Sequence, residues 1–565
     1  MKTFAKTFAF CLLICGLLAQ SAFALAAGVE SKTAKIGGNS ATLLYITMDG
    51  KRSGEVTVGY NSVNKDMSAA EHVASKNAED NKTVVASING GFFNAYYDTK
   101  KALTFPDNCA HIYAAIVQNG EVVNAGGTLP TIAFTADGKV LIDRVKIETS
   151  VTFRGNENNK VTAWSVNGYY ADATAVMLFT DKLGYPVNVP GDAKMVFIRD
   201  NVVTDIRSGS ELTVPGGTCV LVYQPTAWAN AEQWGSSPRV GNFAEISTVY
   251  TPSKAGTESQ WTKITSAIGA GPWLISNGAD VTSENSNFSD PKQGMGVVSA
   301  RSFAAVLPDG RLILGAATAS MQQITSYLLS IGAADAIALD GGASSMLYNG
   351  SKYARAAGRK LSNVLHIVDY ANGQIPQPPA KPDRNAPSDW AKRSVETARS
   401  KGIIPAGIDK NYRMNVTREE FCMLAVQTMK QCSPTPYAEL VNATGISYDA
   451  ARASFTDTYN LEVLDCYRLG IVNGKGNNLF DPNGTLTREQ AAKILAKTAQ
   501  LLGKTADGEA IAFADAASIS AWAVGDVDWV CKAGMMNGVS GGRFDPQGYF
   551  TKEQAVVTLT RILPQ

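Results

Sequence analysis

The stretch "AIALDGGASSMLYNG" at residues 336–350 decides the fold around it, because a short apolar run stops on an aspartate, two glycines and two serines. The run "ADAIAL" has the composition of a buried strand. The amphipathic segment "MQQITSYLLSIG" before it predicts a helix that Gly332 can cap. Helix, strand and glycine-rich turn therefore follow one another, with Asp340 at the carboxyl end of the strand, where ligands usually bind in mixed folds.

The turn has chemistry suited to a ligand. Gly341 and Gly342 let a ligand approach the backbone closely, and Ser344 and Ser345 add hydroxyl groups. Ordinary turns use the same residue types, so this stretch alone does not separate a site from a structural turn.

Three further stretches favour a ligand site over a purely structural turn. They are "ASINGGFFNAYY" at 86–97, "AIGAGPWLISNG" at 267–278 and "SARSFAAVLPDGRLIL" at 299–314. Together with the turn, they resemble the phosphodiester glycosidase family, relatives of N-acetylglucosamine-1-phosphodiester α-N-acetylglucosaminidase, across most of residues 60–370. The resemblance implies an α+β glycosidase-like domain with mixed β-sheets at residues 28–370, which hydrolyses sugar-1-phosphodiester bonds of a carbohydrate or sugar-phosphate substrate.

The resemblance also implies a site. Asp340 and Arg301 are its expected catalytic residues: a cation would hold the departing phosphate, and a carboxylate could stabilise the oxocarbenium-like centre, act as nucleophile or activate water. The expected substrate-binding residues are Asn89, Gly90, Gly91, Gly341, Gly342, Ser344, Ser345, Arg359 and Asn363. Phe92, Phe93 or Tyr96 could cover an apolar sugar face.

Two elements depart from the family pattern. A second Asp-Gly-Arg is replaced by "GAATASM" at 315–321, and an arginine-bearing segment is replaced by Gly168-Tyr169-Tyr170 after Asn167. These changes favour the alternative reading, a non-catalytic glycan-binding protein of the surface layer. The intact Asp340 turn, Asn89 and Arg301 favour the enzyme.

The C-terminal third repeats. "GIVNGKGNNLFDPNGTLTREQAAKIL" from Gly470 returns as "GMMNGVSGGRFDPQGYFTKEQAVVTL" from Gly534, and a weaker copy holds "NVTREEFCML" from Asn415. These units resemble S-layer homology modules, with expected bounds of about 386–435, 453–502 and 511–565.

That resemblance implies an all-α, three-fold repeat domain that binds secondary cell-wall polysaccharide. Arg418, Arg488 and Lys552 are the cations expected to contact anionic groups of the polymer. The alternative is that all three are first-turn charges on solvated helix faces.

The remaining features concern location and composition. Residues 1–24 predict an export signal, and residues 371–385 a proline-rich linker, so we expect a protein secreted to the cell wall or S-layer of a bacterium. With 51 basic and 50 acidic side chains, nothing suggests nucleic acid, and no later run suggests a transmembrane segment.

Cysteines and histidines predict neither a metal site nor a cofactor. Six cysteines follow the signal without a CxxC pair, and the three histidines are scattered. Cys466 and Cys531 read as core residues, whereas a bridge between Cys109 and Cys219 stays open.

Overall fold

A computed structural model describes residues 25–153, 159–199, 201–240, 242–285, 294–375, 377, 386–539 and 542–563. The chain divides into two compact units at Ala380. The predicted export signal and most of the predicted linker lie outside the described residues.

The first unit is built mainly of strands, most of them short. Its strands are β1 Val29–Ile36, β2 Asn39–Ile46, β3 Arg52–Val58, β4 Lys82–Asn89, β5 Ile116–Gln118, β6 Glu121–Gly126, β7 Thr128–Thr135, β8 Val140–Phe153, β9 Lys160–Ala163, β10 Ser165–Val166, β11 Val176–Thr180, β12 Val187–Asn188, β13 Lys194–Arg199, β14 Val202–Ser208, β15 Glu211–Leu212, β16 Thr218–Tyr223, β17 Ala244–Pro252, β18 Ile264–Gly269, β19 Trp273–Ser276, β20 Ala279–Asp280, β21 Ser299–Val306, β22 Leu312–Ala319, β23 Asp335–Ala338, β24 Leu347–Tyr348, β25 Tyr353–Arg355 and β26 Asn363–Tyr370. Its α-helices are α1 Ala69–Asn77, α2 Pro225–Gln233, α3 Glu258–Trp261 and α4 Met321–Ser330.

These strands form several sheets; the twelve-stranded one is mixed, as predicted, whereas the described ladders of the seven- and five-stranded sheets are antiparallel because their neighbouring strands run in opposite directions. The described residues give a seven-stranded sheet in the order β1-β2-β22-β21-β23-β19-β20 and a five-stranded sheet in the order β25-β24-β4-β26-β3. A twelve-stranded sheet runs β14-β13-β16-β11-β10-β6-β5-β18-β7-β8-β17, with β9 on β8, and β12 pairs with β15. Among the described ladders, β10 and β11 pair in parallel and the others are antiparallel.

The helix before the key turn forms where the sequence places it. Ser320 and Gln323 make a reciprocal capping box at its start, and Ile324 and Leu328 bury its apolar face. Gly332 follows with φ of 77°, as a left-handed C-terminal position requires. The next strand, β23, lies between β21 and β19, and Ala336, Ile337 and Ala338 are completely buried.

The regular elements described in the second unit are helices. Its α-helices are α5 Asp389–Ser400, α6 Arg418–Cys432, α7 Tyr437–Asn442, α8 Tyr448–Ala453, α9 Leu461–Arg468, α10 Arg488–Leu501, α11 Val524–Lys532 and α12 Lys552–Thr560. Thr417, Thr487 and Thr551 each cap the helix that follows with a reciprocal capping box. Isolated β-bridges join the segments just before these helices, for example Thr417 to Thr485.

Candidate functional site

The Asp340 turn connects two sheets. It leaves β23 of the seven-stranded sheet and enters β24 of the five-stranded sheet, where β24 pairs with β4. Asn89, the last residue of β4, holds both ends of the turn: its Nδ2 donates to Asp340 O at 2.6 Å, and its Oδ1 accepts from Met346 N at 2.9 Å. The Asp340 amide in turn donates to Gly90 O at 3.0 Å. Two motifs far apart in sequence are therefore bonded into one structure.

The two positions after Asn89 require glycine because neighbouring atoms leave no room for a Cβ. A Cβ on Gly90 would lie 1.8 Å from Asn363 Oδ1, and one on Gly91 would lie 2.2 Å from Gly269 O. The Gly91 amide donates to Asn363 Oδ1 at 2.7 Å. Asn89 and Asn363 are buried and their amides are engaged within the protein, so in this structure they position the turns rather than project towards open space.

The carboxyl group of Asp340 lies in an environment that disfavours its charge. Burial raises its pKa to about 6, although an edge of the residue reaches solvent, and the Ser344 hydroxyl, the Gly341 amide and the Arg359 charge oppose this rise. The Gly341 amide donates to Asp340 Oδ1 at 2.9 Å. A carboxyl group with a pKa near 6 can accept a proton at neutral pH.

Arg301 lies directly behind the turn. It is completely buried on β21, and its Nη2 donates to Val297 O at 3.0 Å. A Cβ on Gly341 would lie 3.5 Å from its Nη1, so guanidinium and glycine turn are in contact. Next to it, Ser302 and Ser345 share a buried hydrogen bond of 2.8 Å between their hydroxyls. Ser344 is also buried, whereas Gly342 is exposed with φ of 62°.

Arg359 acts on the turn through its charge, and a second arginine, Arg355, was not predicted from the sequence. Arg359 donates to the Tyr96 hydroxyl at 3.3 Å and lies over its ring at 5.2 Å. Arg355 on β25 donates to Thr318 Oγ1 at 3.1 Å, within the "GAATASM" segment that lacks the expected Asp-Gly-Arg. Arg355 precedes Arg359 by four residues in the sequence, and this spacing was the feature from which a second cation could have been predicted. Phe92 and Phe93 are half-buried, and Tyr96 is largely exposed.

His72 and His366 belong to a buried hydrogen-bond network. His72 and His366 flank Thr57 Oγ1 at 2.7 and 2.8 Å, and Ser87 Oγ lies 2.8 Å from His366 Nδ1. His72 Nε2 bonds the Leu361 carbonyl, so this nitrogen carries a proton and Nδ1 accepts from Thr57. Burial lowers the pKa of both rings, that of His72 to about 4.

The described residues contain few other groups that could serve a function. No group of three or more His, Cys, Asp or Glu side chains is placed to hold a metal ion. Cys109 and Cys219 are free thiols, and Cys466 and Cys531 are buried in the second unit. In the described part of the chain, no helix has both the length and the apolar character that a bilayer span needs.

The three cations expected to bind polymer are buried in the second unit. Each donates to backbone carbonyls of another repeat: Arg418 to Phe480 and Asn473, Arg488 to Phe544 and Asn537, and Lys552 to Ile408 and Lys410. The glutamates that follow Arg488 and Lys552 also bond to distant segments of the unit. The carboxylate of Glu489 accepts from the amide and hydroxyl of Ser520, and that of Glu553 from the amide and hydroxyl of Ser388, at 2.8–2.9 Å. These contacts give the cations a structural role in joining repeats, and the sequence did not predict it.

Comparisons with known proteins match both regions. A family model described as phosphodiester glycosidase matches residues 193–368, and the S-layer homology domain model matches residues 455–492 and 512–556. Both predicted resemblances are therefore confirmed: the chain contains a phosphodiester glycosidase domain and S-layer homology domains. The matches cover two of the three expected modules, and the one at 386–435 stays a prediction.

Individual relatives match over limited lengths. An amylopullulanase of Thermoanaerobacterium thermosulfurigenes is 27% identical over 220 residues, which is 38% of this chain and 11% of that protein. Exoglucanase XynX of Acetivibrio thermocellus is 28% identical over 183 residues, 31% of this chain and 15% of the relative. A cell surface protein of Thermoanaerobacter kivui is 31% identical over 134 residues, 22% of this chain and 17% of the relative. This chain thus spans only a small part of these proteins.

Solved structures match the chain more broadly but at low identity. A hypothetical protein from Synechocystis gives a TM-score of 0.48 at 18% identity, covering 60% of this chain and 62% of that one. The catalytic domain of zebrafish N-acetylglucosamine-1-phosphodiester α-N-acetylglucosaminidase gives 0.31 at 14% identity, covering 61% and 85%.

Proposed function

We propose that the protein is secreted to the bacterial cell surface, where its first unit hydrolyses sugar-1-phosphodiesters, of the N-acetylglucosamine-1-phosphodiester kind, in cell-surface or exogenous polysaccharide. The observation that carries this proposal is the Asp340 turn, in which the charge of Arg359 acts on a carboxyl group with a pKa of about 6 and the buried Arg301 contacts the adjacent Gly341. A carboxyl group whose pKa is raised by burial and that lies near a cation is typical of catalytic sites.

The chemistry follows from the leaving group. Water attacks the anomeric carbon while the bond between that carbon and the phosphate oxygen breaks, and the sugar and a phosphomonoester are released. The leaving group is already an anion of low basicity, so one carboxylate and nearby cations are sufficient. Asp340 accepts the proton of the attacking water and later returns it to solvent. Arg359, with the exposed amides of the turn, stabilises the departing phosphate.

The positions of Arg301 and Asn89 refine their expected roles. Both are buried behind the turn, so we assign them the positioning of Asp340 rather than direct contact with the phosphate or the sugar. Arg355 joins Arg359 as a candidate cation in place of the missing Asp-Gly-Arg.

The S-layer homology domains would attach the protein to secondary cell-wall polysaccharide. Attachment would keep the first unit at high effective concentration near sugar phosphates of the wall. Similarity to cell surface proteins supports this location. The expected three-fold, all-α arrangement is supported by the way each basic residue reaches the loop of another repeat.

The test is hydrolysis of a synthetic α-N-acetylglucosamine-1-phosphodiester by the full chain. We expect release of N-acetylglucosamine, with kcat/KM rising with pH to a plateau above about 6, and a loss of at least about 100-fold in Asp340→Asn. The matched control is Asp309→Asn at an exposed turn. Equal rates for the wild type and Asp340→Asn would overturn the assigned role of Asp340. No turnover across a panel of sugar phosphodiesters would leave the non-catalytic glycan-binding function as the better account.

A further inference from the structure

A row of aromatic side chains leads away from the Asp340 turn. It starts at Gly91, where a Cβ would lie 2.7 Å from Ala114 Cβ. The residue before Ala114 is Tyr113, which is 56% exposed. Its ring packs edge-on against His111 at 4.4 Å. Exposed aromatic surface next to a candidate site indicates a binding surface.

The row continues onto the loop after β10. Asn124 Nδ2 donates to the carbonyls of Ile112 and Ala114 on either side of Tyr113, at 3.1 and 2.5 Å. Two residues further on, a Cβ at Gly126 would lie 3.2 Å from the Tyr170 hydroxyl. The strand β6 therefore connects the two tyrosines over a short distance.

Tyr170 and Trp164 form the far end. Their rings meet at 5.8 Å with an angle of 69° between planes, and they are 38% and 45% exposed. Trp164 precedes β10 and Tyr170 follows it, and both are held in place: the Trp164 amide donates to Val176 O at 2.7 Å, and Gln224 Nε2 donates to Tyr170 O at 3.1 Å. Asn167, between them, is buried with its amide bonded to Val123 O and Thr180. A surface fixed before binding loses little conformational entropy when a ligand arrives.

The charge and aromatic character of these side chains indicate which ligand they can bind. Residues 164–175 contain no lysine or arginine, so this end does not suit a phosphate. Aromatic faces with tyrosine hydroxyls at their edges suit the apolar faces and hydroxyls of sugar rings. We propose that Tyr113, Tyr170 and Trp164 bind consecutive uncharged sugars of a glycan chain whose end lies at Asp340. The substrate is then a polysaccharide rather than a small diester, an inference that rests on the proposed function for the position of the reacting bond.

The test uses the full chain with Asp340→Asn, so that binding is measured without turnover. Its probes are β-1,4-linked N-acetylglucosamine oligomers of one, two, four and six sugars, titrated by calorimetry. We expect affinity to rise at least about tenfold from one to four sugars, since each stacked ring adds contact. Adding Trp164→Ala or Tyr170→Ala should remove most of this rise and leave the binding of the single sugar unchanged. Trp234→Ala, at a more exposed tryptophan, is the matched control.

The outcomes separate this inference from the proposed function. Affinity that does not depend on length, a rise that survives Trp164→Ala and Tyr170→Ala, or no binding at any length overturns the aromatic row. Hydrolysis of the small diester is measured in parallel on the chain with an intact Asp340. Lost hydrolysis with retained length dependence would overturn only the proposed reaction.

Discussion

Asp340 reduces the stability of the fold at neutral pH. Its pKa is about 6 in the folded chain, above the ordinary value of 3.8. The folded state therefore binds a proton between these values that the unfolded state has released, and the resulting stability is lost as pH rises through about 6.

We therefore expect Asp340→Asn to raise the free energy of unfolding of the first unit. The gain should be on the order of 1–2 kcal/mol at pH 7.5, after allowance for partial exposure, and should vanish near pH 4. Denaturant unfolding of both proteins at the two pH values measures it. A variant less stable than the wild type at pH 7.5 would show that the carboxylate contributes to the fold.

His72 has the opposite relation to pH. Its folded pKa of about 4 lies below the ordinary 6.5, so the unfolded chain gains a proton first as pH falls. Stability is complete above about pH 6.5 and declines towards pH 4, by up to about 3 kcal/mol. His72→Gln should be less stable at pH 7.5, yet should show a shallower decline between pH 7 and 4.5. Parallel declines in the two proteins would exclude His72 as a source of the acid sensitivity.

At the scale of elements, the turn at Gly91 packs closely against Gly269 at the end of β18, so neither can shift without the other. A Cβ on Gly91 would meet the backbone oxygen of Gly269, which cannot move without displacing β18. We expect Gly91→Ala to lower the free energy of unfolding by about 2 kcal/mol or more and to reduce turnover, because the turn that bonds Asp340 shifts.

The control for that prediction is Gly216→Ala, where an added Cβ meets nothing within 4 Å. That change should be neutral or slightly stabilising. Thermal unfolding of the two variants side by side measures the contrast, and similar stabilities would mean that the crowding at Gly91 is relieved at little cost.

Local patterns were sufficient to predict single elements. The apolar face at Ile324 and Leu328 and the terminating Gly332 predicted a helix, and "ADAIAL" predicted a buried strand; both are confirmed. The pairing of β24 with β4 was beyond reach, because contacts between residues separated by more than 250 positions leave no local period in the sequence. The hydrogen bonds that occupy both Nδ2 and Oδ1 of Asn89 depend on those pairings, and so does the position of Arg355.

At the scale of the whole chain, the buried cations couple repeats of the second unit. Arg488 places its guanidinium against the carbonyls of Phe544 and Asn537, and burial lowers its pKa. Arg488→Ala would leave these buried carbonyls without donors, so we expect a loss of about 2–4 kcal/mol in the unfolding of this unit. Weaker binding of purified wall polysaccharide should follow from the loss of fold.

Lys497→Ala, at a half-buried lysine on the same helix, is the control. Unchanged stability of Arg488→Ala, together with lost polysaccharide binding, would instead restore the direct contact that the sequence predicted.

The most direct test of the central claim is hydrolysis of the sugar phosphodiester by the full chain in water enriched in ¹⁸O, with mass analysis of both products. Attack at the anomeric carbon predicts that the label enters the released sugar and is absent from the phosphomonoester. Label in the phosphate would show cleavage of the phosphorus–oxygen bond and would contradict a glycosidase mechanism at Asp340.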